Sequence, residues 1–474
     1  MDILALDLGT SSVRGLVLDA DAVPRPGALA RRRVRMQLGD GGATLDGAGY
    51  LAHLVECLDE LAAGGHLRDV GRVATSGQWH SVLPLGRAGE PLGPVLTWLD
   101  TRPEPPAGVA GPADAAAYHQ RTGTWWHRAY WSVRLPWLRE RGVGRPARFV
   151  GLVEYALGAL LEEAPMSVSQ ASGTGLLDLS ALTWDAEACA LAGAGPGELP
   201  ELAPEEWRGR LRPEHARRWP QLADAAWTAP VGDGAASNIG QGCVDPGRAA
   251  VTVGTSAAVR LVQPAPAGWG LPPLPDGLWR YRVDHDHVLT GTAYSSGGNL
   301  FAWARRELRL PQGAELDAAL ARIAPGGGVA ADPRLGGDRA PGRAPAGSGT
   351  LGGLSFGTDA VEIVAGLMSG VCRLIAADLV ELESTVDGPV EVVLGGGAMA
   401  ASAWWRESFA ASLAPRRVRY QPDPEIGAAG AARAALGRLD VPVRLVDIGR
   451  TDEVASPTPS APRAPRALPE RPLS

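Results

Sequence analysis

The sequence predicts an α/β protein of two related domains, each built on a mixed sheet, that face a shared site. Three observations lead there. The first is element order: a hairpin at Ile3–Leu8 and Val13–Leu18, a third strand over Ala30–Leu38, an amphipathic helix over 49–63, and a buried strand over Val70–Ser76. A β-β-β-α-β order points to a mixed sheet in an α/β domain. The second is an internal echo. "LALDLGTSSVRGLV" near the start and "AAVTVGTSAAVRLV" at 249–262 share a strand, a Gly-Thr-Ser turn, then a strand with an arginine. One such turn is ordinary, but two in the same context, half a chain apart, suggest duplication. The third is size: 474 residues accommodate two or three domains at roughly 100–200 residues each.

Each element has its own justification. The first strand is apolar except at Asp7, and its turn carries Thr10, Ser11 and Ser12. Arg31, Arg32, Arg33 and Arg35 alternate with Val34 and Met36, which reads as a solvated strand face. Leu51, Leu54, Val55, Leu58, Leu61 and Ala62 recur at helical spacing. In the second half, Asp359 with Glu362 forms a capping box. It opens a helix whose stripe is Ile363, Leu367, Met368, Val371, Leu374 and Ile375. "VEVVLGGGA" is a strand ending in a glycine turn, followed by a helical stretch near 402–413. "EIGAAGAARAAL" places small residues at helical spacing and so permits close packing. Residues 326–353 read as a long Gly/Pro-rich loop, and the tail from about Ala455 as disordered. The expected domains are 1–228 and 229–450, with a Pro-rich tail at 451–474.

Composition excludes several chemistries. No lysine occurs in the chain, so a Walker A nucleotide site and lysine Schiff-base chemistry are both ruled out. The net charge of −7 argues against a nucleic-acid partner. Cys57, Cys189, Cys243 and Cys372 lie far apart without metal-ligand spacing, which suits free thiols in a reducing cytoplasm. An acidic start and the lack of an apolar run of 18 residues argue against a signal peptide or membrane span. The expectation is a cytoplasmic globular protein, with a homodimer left open.

The two Gly-Thr-Ser hairpins suit a phosphate chain: glycine lets backbone N–H groups approach an anion, and the hydroxyls add donors. Asp7 fits if it faces a hydrated divalent cation such as Mg²⁺, which takes only one or two protein carboxylates; the plainer alternative is a hairpin with an exposed aspartate. In "GDGAASNIG", Asp233 sits between glycines about 20 residues before the second turn. It suits a general base accepting a hydroxyl proton, or equally a helix-start aspartate. Gln78, His80, Trp98, Asp100 and Arg102 fall near strand ends. Asp and Arg can grip hydroxyls or a carboxylate and Trp can stack on a sugar face, while each alone also fits a structural role. Gly395-Gly396-Gly397 allows close approach of an adenosine, or is a plain strand-to-helix turn.

Together these motifs resemble the FGGY family of carbohydrate kinases, over essentially residues 1–440. "DLGTSS" and "TVGTSAAVR" match the two phosphate motifs, "TWLDTR" the sugar motif and "GDGAASNIG" the catalytic-aspartate segment. "GGDRAP", "LGGGAMAASAWW" and "EIGAAGAA" match later blocks in order. The resemblance implies two actin-like ATPase (ribonuclease H-like) domains across a deep cleft, and ATP-dependent phosphorylation of a small sugar, sugar acid or polyol. It implies Asp233 as general base and Asp7 toward Mg²⁺. Thr10, Ser11, Ser12, Gly254, Thr255 and Ser256 become the phosphate grips, and Gly396, Gly397 and Ala398 the adenosine wall. Gln78, His80, Trp98, Asp100 and Arg102 become the sugar side. "HSVLPL", "SQASGTGLLDL", "VGTSAAVR" and "SSGGNLFAW" look most like the gluconate kinase branch. "GQWH" is closer to xylulose kinases, Ser295-Ser296 stands where the gluconate branch often has two asparagines, and Asp338 stands where the family usually has glutamate. A catalytically silent sugar-binding relative and a heat-shock-type ATPase are rival readings. Retention of Asp7 and Asp233 argues against the first, and the "TWLDTR" block against the second.

Overall fold

The computed structural model describes residues 1–143, 146–337 and 347–448. Asp338, most of the "GGDRAP" block and the expected tail at 451–474 lie outside the described residues.

The first strand, Asp2–Leu8, sits mid-sheet, antiparallel to Ser12–Leu18 and parallel to Val70–Gly77. The full order is Arg208–Gly209, Ala226–Thr228, Val70–Gly77, Asp2–Leu8, Ser12–Leu18, Pro24–Arg33, with Val231–Gly232 also pairing Val70–Gly77. The second sheet repeats this plan. Arg248–Val253 is antiparallel to Ala257–Pro264 and parallel to Glu391–Gly395. His287–Tyr294 and Val418–Tyr420 flank that set. The echo in the sequence is therefore a duplicated hairpin at the same place in two mixed sheets.

The helix Gly47–Ala63 starts where Asp46 accepts a hydrogen bond from Ala48 N at 3.1 Å, and it buries Tyr50, Leu54, Leu58 and Leu61 on the first sheet. The expected capping box at Asp359 and Glu362 is present and opens the helix Ala360–Glu383. That helix is long and apolar enough to cross a membrane by length and composition, yet it lies in the second domain's core with Leu367, Met368, Val371 and Ile375 buried. All four cysteines are free thiols.

Two expectations need correction. The third strand is Pro24–Arg33, not Ala30–Leu38. It ends the sheet, where a proline's missing N–H costs no ladder bond, so Pro24 and Pro26 do not exclude it. Arg32 instead ties it to Glu56 and Glu60 of the adjacent helix. Residues 326–353 are not wholly loop: Ala330–Asp332 pairs antiparallel with Thr350–Gly352.

The helix Ile426–Ala435 joins the halves. It packs on the helix Asp233–Gly240 and fills the first sheet's other face, beside Ile3, Ala5 and Ala74. A Cβ on Gly430 would stand 1.8 Å from Ala236 O, and one on Gly240 1.9 Å from Ile426 O. The small residues are needed for that approach.

Candidate active site

Three parallel strands of the first sheet end together. Asp7 pairs with Ser76 while Leu8 pairs with Gly77, and Val231–Gly232 flanks Ser76 and Gly77 on the other side. The first Gly-Thr-Ser turn, the Gln78-Trp79-His80 segment and Asp233 therefore leave one sheet edge as neighbours. Ligands in open α/β sheets gather outside such carboxyl ends. Across from them, Thr252 pairs with Gly395, which brings the glycine run beside the second turn.

Between the two edges lies a cavity of about 320 Å³. Of the residues singled out in the sequence, Thr10, His80, Trp98, Asp233, Gly254, Thr255 and Ser256 line it. Asp233 is exposed as the first residue of the helix Asp233–Gly240. Its glycine neighbours have a steric cause. The Trp79 indole fills the space a Cβ would need at Gly232, 1.9 Å away, and at Gly234, 2.6 Å away. Trp79 Nε1 is held by Ser169 O at 2.8 Å, and Ser169 Oγ accepts from Gly232 N at 3.0 Å. The Gly-Asp-Gly run is thus moulded onto an indole that holds Asp233 at the cavity.

His80 has a φ of +66°, a strained value for a non-glycine residue. Two contacts hold it there: its Nδ1 meets Gly173 O at 2.6 Å, and its carbonyl accepts from Arg134 Nη1 at 2.8 Å. Arg134 is fully buried and also donates to the carbonyls of Arg128 and Asp100. Burial pulls its guanidinium down to about 10. One buried cation therefore gathers three segments around the cavity.

Aromatic rings form much of the cavity wall. Trp279 stacks on Tyr281 at 4.4 Å, Trp79 packs against both, and Tyr130 and Tyr281 share a hydroxyl hydrogen bond of 2.8 Å. Trp79, Trp98, Trp125 and Trp279 all line the cavity. Such rings offer apolar faces to C–H groups and polar tips to hydroxyls.

Asp7 lies just behind the first turn. Ser76 Oγ donates to its Oδ1 at 3.1 Å, and Arg14 Nε stands 3.7 Å from Oδ2. Burial outweighs both and raises the carboxyl above its ordinary range. The existing partners leave it under-compensated, so a divalent cation fits this donor. Among the described residues no group of three or more His, Cys, Asp or Glu side chains forms a metal cluster. Thr252, the counterpart of Asp7, is neutral and bonds Gln241 Oε1 at 3.0 Å.

Other sequence candidates sit off the cavity. Ser12 is buried and accepts from Arg14 Nε at 3.1 Å, while Ser11 is exposed outside the lining. Gln78 is buried, and neither amide atom finds a hydrogen-bond partner among the described residues. Asp100 is buried, bound by Arg102 at 2.5 Å and by Ala43 N at 3.2 Å. Gly396 adopts a φ of +95°, and a Cβ there would meet Val253 O at 2.5 Å. Gly396, Gly397 and Ala398 thus begin the helix beside the second turn without lining the cavity. Sequence reasoning missed Trp79, Trp125, His127, Tyr130, Arg260, Trp279 and Tyr281. Two signals were available: the aromatic run "TWWHRAYW", and "WRYR", whose alternation puts Trp279 and Tyr281 on one strand face.

Comparison with known proteins matches residues 2–240 to the N-terminal domain of the FGGY family of carbohydrate kinases and residues 249–437 to its C-terminal domain. The gluconokinase of Bacillus subtilis (strain 168) is 27% identical over 71% of this chain and 68% of its own. The xylulose kinase of Streptomyces coelicolor is 29% identical over 92% and 88%. The solved gluconate kinase of Lactobacillus acidophilus superposes with a TM-score of 0.80 at 24% identity, over 92% of this chain and 89% of that one. The duplicated actin-like domains and these matches establish that the chain belongs to the FGGY family of carbohydrate kinases.

Proposed function

We propose that this carbohydrate kinase transfers the γ-phosphoryl group of ATP to a hydroxyl of a sugar acid, with gluconate to 6-phosphogluconate as the leading assignment. The observation that carries the reading is the meeting of Asp233, both Gly-Thr-Ser turns and an aromatic wall in one cavity. Phosphoryl transfer needs alignment and charge neutralisation rather than covalent chemistry, and each need has a candidate group here.

Asp233, exposed at the start of its helix and lining the cavity, accepts the proton of the acceptor hydroxyl. Thr10, Gly254, Thr255 and Ser256 hold phosphate oxygens; no described residue lies within 4 Å of where a Cβ on Gly254 would stand, which leaves its backbone open to a phosphate. Mg²⁺, when bound, neutralises phosphate charge, and Asp7 is the residue that would hold it through its water shell. Gly396, Gly397 and Ala398 face the adenosine. His80 and Trp98 contact the acceptor, while Gln78, Asp100 and Arg102 support the loops that carry them. In this scheme 1–228 supplies the sugar side and 229–450 the nucleotide side.

Xylulose is the second reading, supported by the greater coverage of the Streptomyces relative and by "GQWH" at 77–80. The test is ADP release with Mg-ATP across gluconate, D-xylulose, L-ribulose, glycerol and erythritol. Release with gluconate well above the others is expected. A preference for D-xylulose replaces the substrate, and release with none of the five favours a silent sugar-binding relative.

A further inference from the structure

Arg260 lies on the strand Ala257–Pro264, four residues beyond the second Gly-Thr-Ser turn, and lines the cavity. It is the only arginine among the described lining residues, and Asp233 the only carboxylate. A cation in such a wall calls for a partner. The one hydrogen bond of its guanidinium among the described residues is long, from Nη1 to Thr252 Oγ1 at 3.3 Å. Burial draws the guanidinium down to about 10 despite the attraction of Asp233, so the charge is under-compensated where it stands.

Two glycines make room for this side chain. A Cβ on Gly234 would stand 3.2 Å from Arg260 Nε, and one on Gly291 3.0 Å from Arg260 Cγ. Arg260, Gly291 and Trp279 are successive cross-strand partners, so arginine and indole share a sheet face with only a glycine between them. The arginine's backbone therefore stands beside the aromatic wall, while its guanidinium reaches past Gly234 toward Thr252.

We propose that Arg260 binds the carboxylate of the acceptor and so selects sugar acids over neutral sugars and polyols at this site. The assignment rests on the kinase reading above and adds the residue that sets its substrate class. Arginine suits a carboxylate through paired, charge-assisted N–H bonds.

The matched probes are D-gluconate and D-glucitol, which share a carbon chain and differ by the carboxylate at one end. Binding of each by calorimetry, together with KM and kcat for ADP release, is measured in the native protein, Arg260→Gln and Arg260→Lys. The native protein is expected to favour gluconate by ~10–100-fold, the range of a charge-assisted contact. Arg260→Gln should lose that preference chiefly through KM, and Arg260→Lys should restore part of it. If Arg260→Gln does not fold, Arg260→Lys carries the test through a reduced preference. Equal use of the two probes by the native protein overturns the proposal, as does a preference that survives in Arg260→Gln. A kcat loss shared by both acceptors at unchanged gluconate KM also overturns it. If the native protein binds gluconate selectively but releases no ADP, the phosphotransfer reading fails while the carboxylate assignment stands.

Discussion

Arg14 faces Asp7 across the first hairpin but gives its shorter contact, 2.9 Å, to Glu425 at the head of the joining helix, leaving 3.7 Å to Asp7. The arginine is shared between two carboxylates, one from each half of the chain. Asp7 therefore keeps an incomplete counter-charge, which is the physical ground of its proposed role toward Mg²⁺.

Asp7→Asn keeps the size of the side chain and removes its charge. Turnover at saturating acceptor should fall on the order of 10²-fold, as when a group stabilising developing charge is lost, and the magnesium titration should shift to higher concentration. Kinetics across a magnesium series check this; an unchanged metal dependence would remove Asp7 from that role.

Gly232→Ala places a methyl 1.9 Å from the Trp79 indole. Overpacking of this kind costs about 1–3 kcal/mol. Denaturant unfolding should show that loss, and pairing the change with Trp79→Leu should return part of it, because contacting residues couple. Strictly additive costs would mean that the indole does not set the glycine.

Glu154 gives a pH signature. It is buried, and burial pushes its carboxyl up to about 7 against the smaller, opposite pull of the Glu154 and Gly151 backbone N–H groups. The folded protein thus holds a proton that the unfolded chain releases near the ordinary value of 4.5. Its contribution to stability is greatest below that value and is lost as pH rises through about 7, a change on the order of 3 kcal/mol. Melting temperatures between pH 5 and 8.5 should fall less for Glu154→Gln than for the native protein. Parallel curves would show that Glu154 titrates normally.

The legible parts of the molecule were local in sequence. The hairpin around Gly9–Ser12, its copy around Gly254–Ser256 and the capping box at Asp359 each lie within a few residues, where turn chemistry and side-chain period decide the outcome. The aromatic wall was not legible, because cross-strand pairing and domain contact bring Trp279 and Tyr281 to Trp79 from some 200 residues away. The Gly-Asp-Gly run shows the same limit. Its glycines were visible, but the indole that requires them comes from a different strand end. Arg260 stands within a phosphate motif, yet only its register opposite Gly291 and Trp279 brings its strand position beside the aromatic wall.

The most direct test of the account is Asp233→Ala. The side chain is exposed at the first position of its helix, so the fold should survive its removal. Calorimetry should find ATP binding retained, and ADP release with gluconate should fall at least ~100-fold, the lower range for loss of a general base. Near-native turnover in this variant would contradict the assignment of Asp233, and with it the mechanism built around this cavity.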